Sequence, residues 1–372
     1  MRWALAITAG LLLLTGCDDG PAKVTFFADR NPEDLAEWGV VKVSGGHLSV
    51  GERVEPYDIV TPLFSDYASK FRTIYLPAGQ AAKYDSYQAF DFPVGTIISK
   101  TFYYPKGKDG TVRPVIAHGN EAKGLDLGTY RLMETRLLVR REAGWVALPY
   151  IWDEDQKHAH LAPVGDILPI TFEKPDGGRQ DVAYVVPNMN QCASCHSADY
   201  SGKTESRPLG LKARHLNHDF AYAAGPENEL AHLTRIGYLT GAPEPSAAPR
   251  NADWQDTSAP LEARARAYLD ANCGHCHNAK GLARTTGLYL DAGAETSEHI
   301  GLCKPPVAAG PGTGDLNFDI MPGQPDKSIM VYRMTSTKPA VMMPELGRST
   351  EHEEGVALIR AWITAWRGDC GA

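Results

Sequence analysis

The sequence predicts a multidomain chain: a mainly-β, sandwich-like N-terminal domain, a short loop-rich module, and an all-α domain at the C-terminus. Three observations predict it. Runs of β-branched and aromatic residues bounded by turn signals fill the first half. A proline-, alanine- and polar-rich stretch follows the midpoint, and two segments of helical period bracket the last third. With 372 residues the chain has room for two or three domains, and its 43% hydrophobic and 22% charged content is that of a globular protein. The net charge of −8 excludes nucleic acid as a partner, because phosphate binding needs a basic surface.

Residues 1–16 read as a signal peptide. Arg2 supplies the positive start, and the apolar run 4–14 is too short for a membrane span. It ends in Leu14-Thr15-Gly16-Cys17, which resembles a bacterial lipobox and predicts lipidation of Cys17. The alternative is an ordinary cleaved signal in which Cys17 is incidental. On the lipobox reading, residues 17–23 are a lipid-anchored tether. The lipoprotein is then exported and held at the periplasmic face of a bacterial membrane. Asp18 and Asp19 resemble inner-membrane retention signals. No later run approaches the ~20 apolar residues of a spanning helix.

The β-rich domain is assigned to residues 24–187. "GTIISKTFYY" (95–104), "METRLLVRR" (133–141), "GWVALPYIW" (144–152) and "DVAYVVP" (181–187) read as strands, with "PKGKDG" and "KPDGG" as turns. One early helix is expected in "NPEDLAEWG", with Asn31 as N-cap and Pro32 at N1. Residues 188–240 form the short module, ending in a helix over "ENELAHLTRIGYL", and 241–257 an extended linker. Residues 258–372 form the last domain. Its first helix, "SAPLEARARAYLDAN", takes Ser258 as N-cap, turns Arg264 and Arg266 outward, and runs into Cys273. Its last, "STEHEEGVALIRAWITAWRG", places Glu351, Glu353 and Glu354 in the first turn and Ile359, Trp362, Ile363 and Trp366 on one stripe, with Gly368 as its stop.

Two motifs carry the chemistry: Cys192-Ala-Ser-Cys195-His196 and Cys273-Gly-His-Cys276-His277. C-x-x-C-H is the attachment site of a c-type haem. The thiols become thioethers and the histidine becomes an axial iron ligand, so one turn of backbone must present all three to one porphyrin. C-G-H-C alone also suits a thiol–disulfide exchanger, but that chemistry wants the pair at a helix N-terminus in a βαβ setting. Here a helix precedes Cys273. A Cys₄ zinc site is the other alternative, disfavoured by the long separation of the pairs and the histidine after each. Two covalently bound haems are therefore expected, with Cys192, Cys195 and His196 serving the first and Cys273, Cys276 and His277 the second. A helix entering C-x-x-C-H, a loop-rich middle and a closing helix is also the plan of a small cytochrome c domain.

For the second haem, "VMMPELG" supplies Met343 as sixth ligand and Met342 as runner-up, with Met321 and Met334 behind them; the alternative is that Met343 packs in the core. For the first, His158, His160, His215, His218 and His232 are within reach and none stands out, so a bis-histidine, a borrowed or an open sixth position all remain. Lys203, Arg207, Lys212 and Arg214 suit haem propionates, or are solvated cations. His275 reads as an exposed bystander. Export makes a Cys303–Cys370 disulfide one expectation and two unrelated thiols the other. Asp153 and Asp155 read as a solvated loop.

The phrases "ARAYLDANCGHCHNAKGLARTTGL", "CKPPVAAGPGTG", "PDKSIMVYRM" and "AVMMPELGRS" resemble the C-terminal half of a family of exported bacterial dihaem c-type cytochromes. "FPVGTIISKTF", "METRLLVRREAGW" and "VVPNMNQCASCH" resemble its N-terminal half. The resemblance covers nearly all of the chain after the signal. It implies two iron-bearing haems on the six motif residues without naming a substrate. The expected function is electron transfer in the cell envelope, with redox proteins there as partners. The alternatives are a dihaem, peroxidase-like enzyme with an open site at the first haem, and a redox-sensing or binding module. The β-rich region shows no nucleophile–base motif and no phosphate loop.

Overall fold

The computed structural model describes residues 20–116, 121–200, 203–295, 297–307 and 310–371. The expected signal peptide and Cys17 lie outside them. No helix among the described residues is long and apolar enough to cross a membrane.

The N-terminal region is rich in antiparallel sheet. Its centre is a six-stranded sheet built from β1 (Val54–Tyr57), β2 (Ser69–Tyr75), β3 (Ile97–Pro105), β4 (Tyr130–Arg141), β5 (Gly144–Trp152) and β6 (Ala159–Leu161), each paired with the next. Three of the four predicted strands are β3, β4 and β5. The fourth belongs to a separate hairpin of β7 (Asp166–Glu173) and β8 (Arg179–Val186). Both faces of the main sheet are covered, which is why β2 and β3 are buried almost continuously rather than at every second residue. On one face Phe71, Tyr103, Leu137 and Leu148 pack with Leu35 and Trp38 of a 3₁₀ turn and with a small three-stranded sheet. That turn, Leu35–Trp38, is capped by Asp34 rather than Asn31.

The other face explains why the short module is not a free unit. Leu211, Leu216, Leu230 and Leu233 share one buried cluster with Tyr57, Ile74 and Ile98 of the sheet. Leu239–Thr240 pairs in parallel with Ala82–Lys83. The module contains α1 (Met189–His196), two short hairpins and α2 (Glu229–Arg235). It is thus more ordered than its loop-like sequence suggests.

The C-terminal region carries several helices, making the chain mixed α/β. α3 (Leu261–Asn272), α4 (Ile329–Thr335) and α5 (Glu353–Ala365) enclose Leu269, Met330, Ile359, Trp362 and Ile363. Pro260, not Ser258, precedes α3. Ser258 instead donates its hydroxyl to Asp256. Arg264 and Arg266 are drawn back onto backbone carbonyls of Trp254 and Ala294. α5 begins after Glu351 and ends at Trp366, short of Gly368. The linker is strapped down, with Trp254 only 5% exposed in the helical core and Asn251 N–H donating to the Arg214 carbonyl.

Two buried acids hold these layers together. Asp270, near the end of α3, accepts both a 2.8 Å and a 2.9 Å hydrogen bond from Arg214 of the module, with both side chains almost fully buried. Asn251 of the linker and the backbone N–H of Ala292 donate to the same carboxylate. Glu229, at the start of α2, is fully buried and accepts from the Asp58 N–H beside β1.

Removing the charge of Asp270 by Asp270→Asn leaves the Arg214 guanidinium buried without its anion. Chemical denaturation should then show a loss of about 3–5 kcal/mol. Glu229 predicts a pH dependence. Burial lifts its carboxyl well above the ordinary 4.5, so the folded protein keeps a proton that the unfolded chain releases. The stability it contributes is present below that value and is lost as pH rises toward the folded pKa. Glu229→Gln should flatten this slope; urea midpoints measured from pH 4 to pH 8 would reveal it, and an unchanged slope would refute the assignment.

Candidate functional site

The first motif lies on α1. Asn188 accepts from the Gln191 N–H while the Gln191 side chain accepts from the Asn188 N–H, a capping box that starts the helix sharply. This Asn-x-x-Gln signal is legible in the sequence and marks the helix that a loop reading overlooks. One helical turn then separates Cys192 from Cys195, and His196 ends the helix. The hairpin of Ser197–Tyr200 and Lys203–Ser206 folds the chain back, so that Arg207 faces His196. The His196 Nδ1 lies 2.8 Å from the Arg207 carbonyl oxygen.

The second motif leaves the end of α3. Cys273 caps the helix, and the N–H groups of Cys273 and Gly274 both reach the Leu269 carbonyl at 2.8 Å. A side chain at Gly274 would meet the Asp291 backbone at 2.8 Å, so this position of C-G-H-C needs glycine for close approach. The His277 Nδ1 lies 3.3 Å from the Leu288 carbonyl oxygen. The two histidines thus share one arrangement. A carbonyl can only accept, so each Nδ1 carries the proton and each Nε2 presents a lone pair. Neither Nε2 has a hydrogen-bond partner among the described residues. Burial depresses both imidazoles to about 4, keeping them neutral.

Arg214 and Asp270 bring the motifs together. A donor atom each from Cys195, His275 and Cys276 lies within 4.8 Å of the others, and the Cys276 sulfur is 3.8 Å from the Ser194 carbonyl oxygen. The closeness of the two thiols lowers that of Cys195 and raises that of Cys276. Cys192 and Cys273 are raised by burial, Cys273 to about 12. Beside this contact opens a cavity of about 300 Å³, lined by His196 and His275 together with Arg207, Lys212 and Arg214. The expectation of an exposed His275 is corrected here. It is half-buried, and its Nδ1 is buried with no hydrogen-bond partner.

The remaining ligand expectations separate cleanly. Met343 lines a small cavity of about 20 Å³ with Cys273, Met334, Phe64, Tyr268 and His352. Met342 lines neither cavity. The Met321 sulfur is 3.4 Å from that of Cys370, which is disulfide-bonded to Cys303. His352, stacked on Phe64 at 4.1 Å, had no signal in the sequence beyond being a histidine. The histidines proposed for the first site have acidic neighbours elsewhere. His158 faces Asp34, His160 Asp153, His215 Asp270 and His218 Glu229, and His232 lies between Glu55 and Glu227. The other member of the acidic pair, Asp155, meets Lys157.

The side of the main sheet toward α1 is cationic. Arg72, Lys100 and Arg136 stand directly opposite one another across β2, β3 and β4. Glu134 neutralises Arg136 and Asp58 neutralises Arg72. Among the described residues Lys100 has no acidic partner within ion-pair distance, and burial lowers its ammonium to about 7. Lys100 and Arg136 both act electrostatically on Cys192.

The residues fit haem attachment in kind: paired thiols, a neutral imidazole with a free Nε2 after each pair, and basic groups around the first. Compared with protein-family models, with curated proteins and with solved structures, the chain matches none.

Proposed function

We propose that the chain is a dihaem c-type cytochrome that transfers electrons in the cell envelope. The observation that carries this reading is the pair of motif histidines. Each follows its thiol pair, is half-buried and neutral, is fixed through Nδ1 by a backbone carbonyl, and keeps Nε2 unpartnered among the described residues, which is the disposition of an iron ligand. Bound haem supplies a reversible one-electron change at iron. Cys192 and Cys195 hold the first by thioether bonds with His196 as axial ligand. Cys273, Cys276 and His277 would do the same for the second, with Met343, which lines a cavity with Cys273, as its further ligand. Arg207 and Lys212 of the cavity wall, with Lys100 near His196, would supply positive charge for propionates.

The meeting of the two motifs supports a relay. A thioether sulfur is two bonds from its macrocycle, so the closeness of Cys195 and Cys276 would bring two macrocycle edges within a few atoms. Electrons entering at either haem then have a short path to the other. On this reading the C-terminal helices form the cytochrome c-like unit, and the β-rich region covers the first haem and docks redox partner proteins. A lipid on Cys17 tethers the protein at the periplasmic face.

The 300 Å³ cavity beside His196 favours one second reading, an enzyme with an open first haem. The Cys195–His275–Cys276 group favours another, a bound zinc ion. Zinc and haem compete for the same thiols, since a thioether no longer offers a thiolate.

Intact mass of the protein matured in a cell with haem-ligation machinery discriminates them. Two added haem masses are expected, falling to one in Cys192→Ala/Cys195→Ala and in Cys273→Ala/Cys276→Ala. A haem-free protein carrying stoichiometric zinc would refute the proposal. Met343→Ala should abolish a methionine-to-iron charge-transfer band and lower one of two reduction potentials. An unchanged band and potential would remove Met343 from the ligand set, with His352 next to be tested.

A further inference from the structure

The sixth ligand of the first haem can be assigned from the same geometry. We infer that His275, a residue inside the second motif, ligates the first haem opposite His196. The inference rests on the dihaem reading above.

Three observations converge. His196 and His275 are the two histidines lining the 300 Å³ cavity among the described residues, and no methionine lines it. The His275 Nδ1 is buried without a partner, and an unpaired buried ring nitrogen costs about 1–3 kcal/mol unless something binds it. The five histidines that the sequence offers near the first motif sit against carboxylates instead, so each would have to leave an acid to reach iron.

Chain geometry makes the assignment coherent. Asn278 Nδ2 donates to the Gly274 and His275 carbonyls, which fixes the backbone of the motif turn. Gly274 lies flush against Asp291, which leaves the neighbouring side chain on the cavity side. The donor atom of His275 lies within 4.8 Å of that of Cys195, so this residue of the second motif already reaches the first. Each motif then contributes to the first site, which is incomplete without the second. The first haem would be bis-histidine and the second histidine–methionine. Methionine ligation raises the potential, so the first haem is the lower-potential member.

The experiment is the absorption spectrum of the dithionite-reduced dihaem protein, with and without carbon monoxide, for wild type and His275→Ala. Wild type should be insensitive to carbon monoxide. In His275→Ala about half of the haem should form a carbon monoxide complex while the methionine–iron band of the second haem persists. Added imidazole should restore the six-coordinate spectrum, and His275→Met should remain six-coordinate with one potential raised. Four outcomes overturn the inference: wild type in which half the haem already binds carbon monoxide, His275→Ala that stays insensitive, carbon monoxide binding that imidazole does not reverse, or a His275→Met protein with unaltered potentials. Pyridine haemochrome analysis of the same samples separates the two levels. Two attached haems with any of those outcomes sink only the ligand assignment, whereas absence of covalent haem sinks the dihaem reading with it.

Discussion

The carboxylate of Asp270 is the constraint on which the site depends. It gathers Arg214 from the module, Asn251 from the linker, and the Ala292 backbone beyond the second motif around the end of α3. Burial alone would protonate it. The hydrogen bonds from Arg214, with the charges of Arg214 and Lys212, overcome that penalty and hold it far below the usual carboxylate range. Arg214 in turn donates to the Tyr87 carbonyl, reaching the loop on the far side of the cavity. Buried ion pairs seldom add net stability over apolar packing, but they punish every arrangement in which one member is left unpaired. Here the arrangement so enforced is the one in which Cys195 meets Cys276.

A second device works on a smaller scale. Each motif histidine is turned by a backbone carbonyl that the sequence cannot name. The Arg207 carbonyl is delivered by a hairpin register, and the Leu288 carbonyl by the return of the chain after a turn that closes on Cys276. Both leave a neutral, half-buried imidazole whose Nε2 lone pair meets no partner among the described residues. The same arrangement at two equivalent places is what the proposed haem ligation would use.

Much of this was legible in the residues. Runs of β-branched and aromatic residues between turn signals located β3, β4, β5 and β8, and the amphipathic stripes located α3 and α5, because those elements are buried along much of their length. The chemistry-bearing motifs were visible because thiol and imidazole spacing is set by one helical turn. What could not be read were relations between distant segments. Packing of Leu211, Leu230 and Leu233 under the sheet turned a loop-like module into part of the β-rich core. Ser258 lost its cap role to a local turn with Asp256, and a linker composed like a flexible tether was pinned by Trp254 and Asn251. His275 looked like a spacer because its significance comes from the other motif, brought to it by an ion pair between residues 214 and 270.

The two sites differ in a way that bears on direction. Around the second, apolar and aromatic groups close on Cys273 and Met343, leaving about 20 Å³. Around the first, about 300 Å³ lies among Arg207, Lys212, Arg214 and Lys280, with Asp291 as the acid in the wall. On the proposed dihaem reading, these positive surroundings would stabilise the reduced state of the first haem, which carries one positive charge less to repel, and so would raise its potential. Ligation by His196 and His275 would act the other way, because it lacks the methionine that would raise the second. The opposing trends would narrow the gap between the two potentials while leaving the first haem the lower member. A relay between neighbouring haems needs no large driving force, so a narrow gap would leave direction to the partners rather than to the chain.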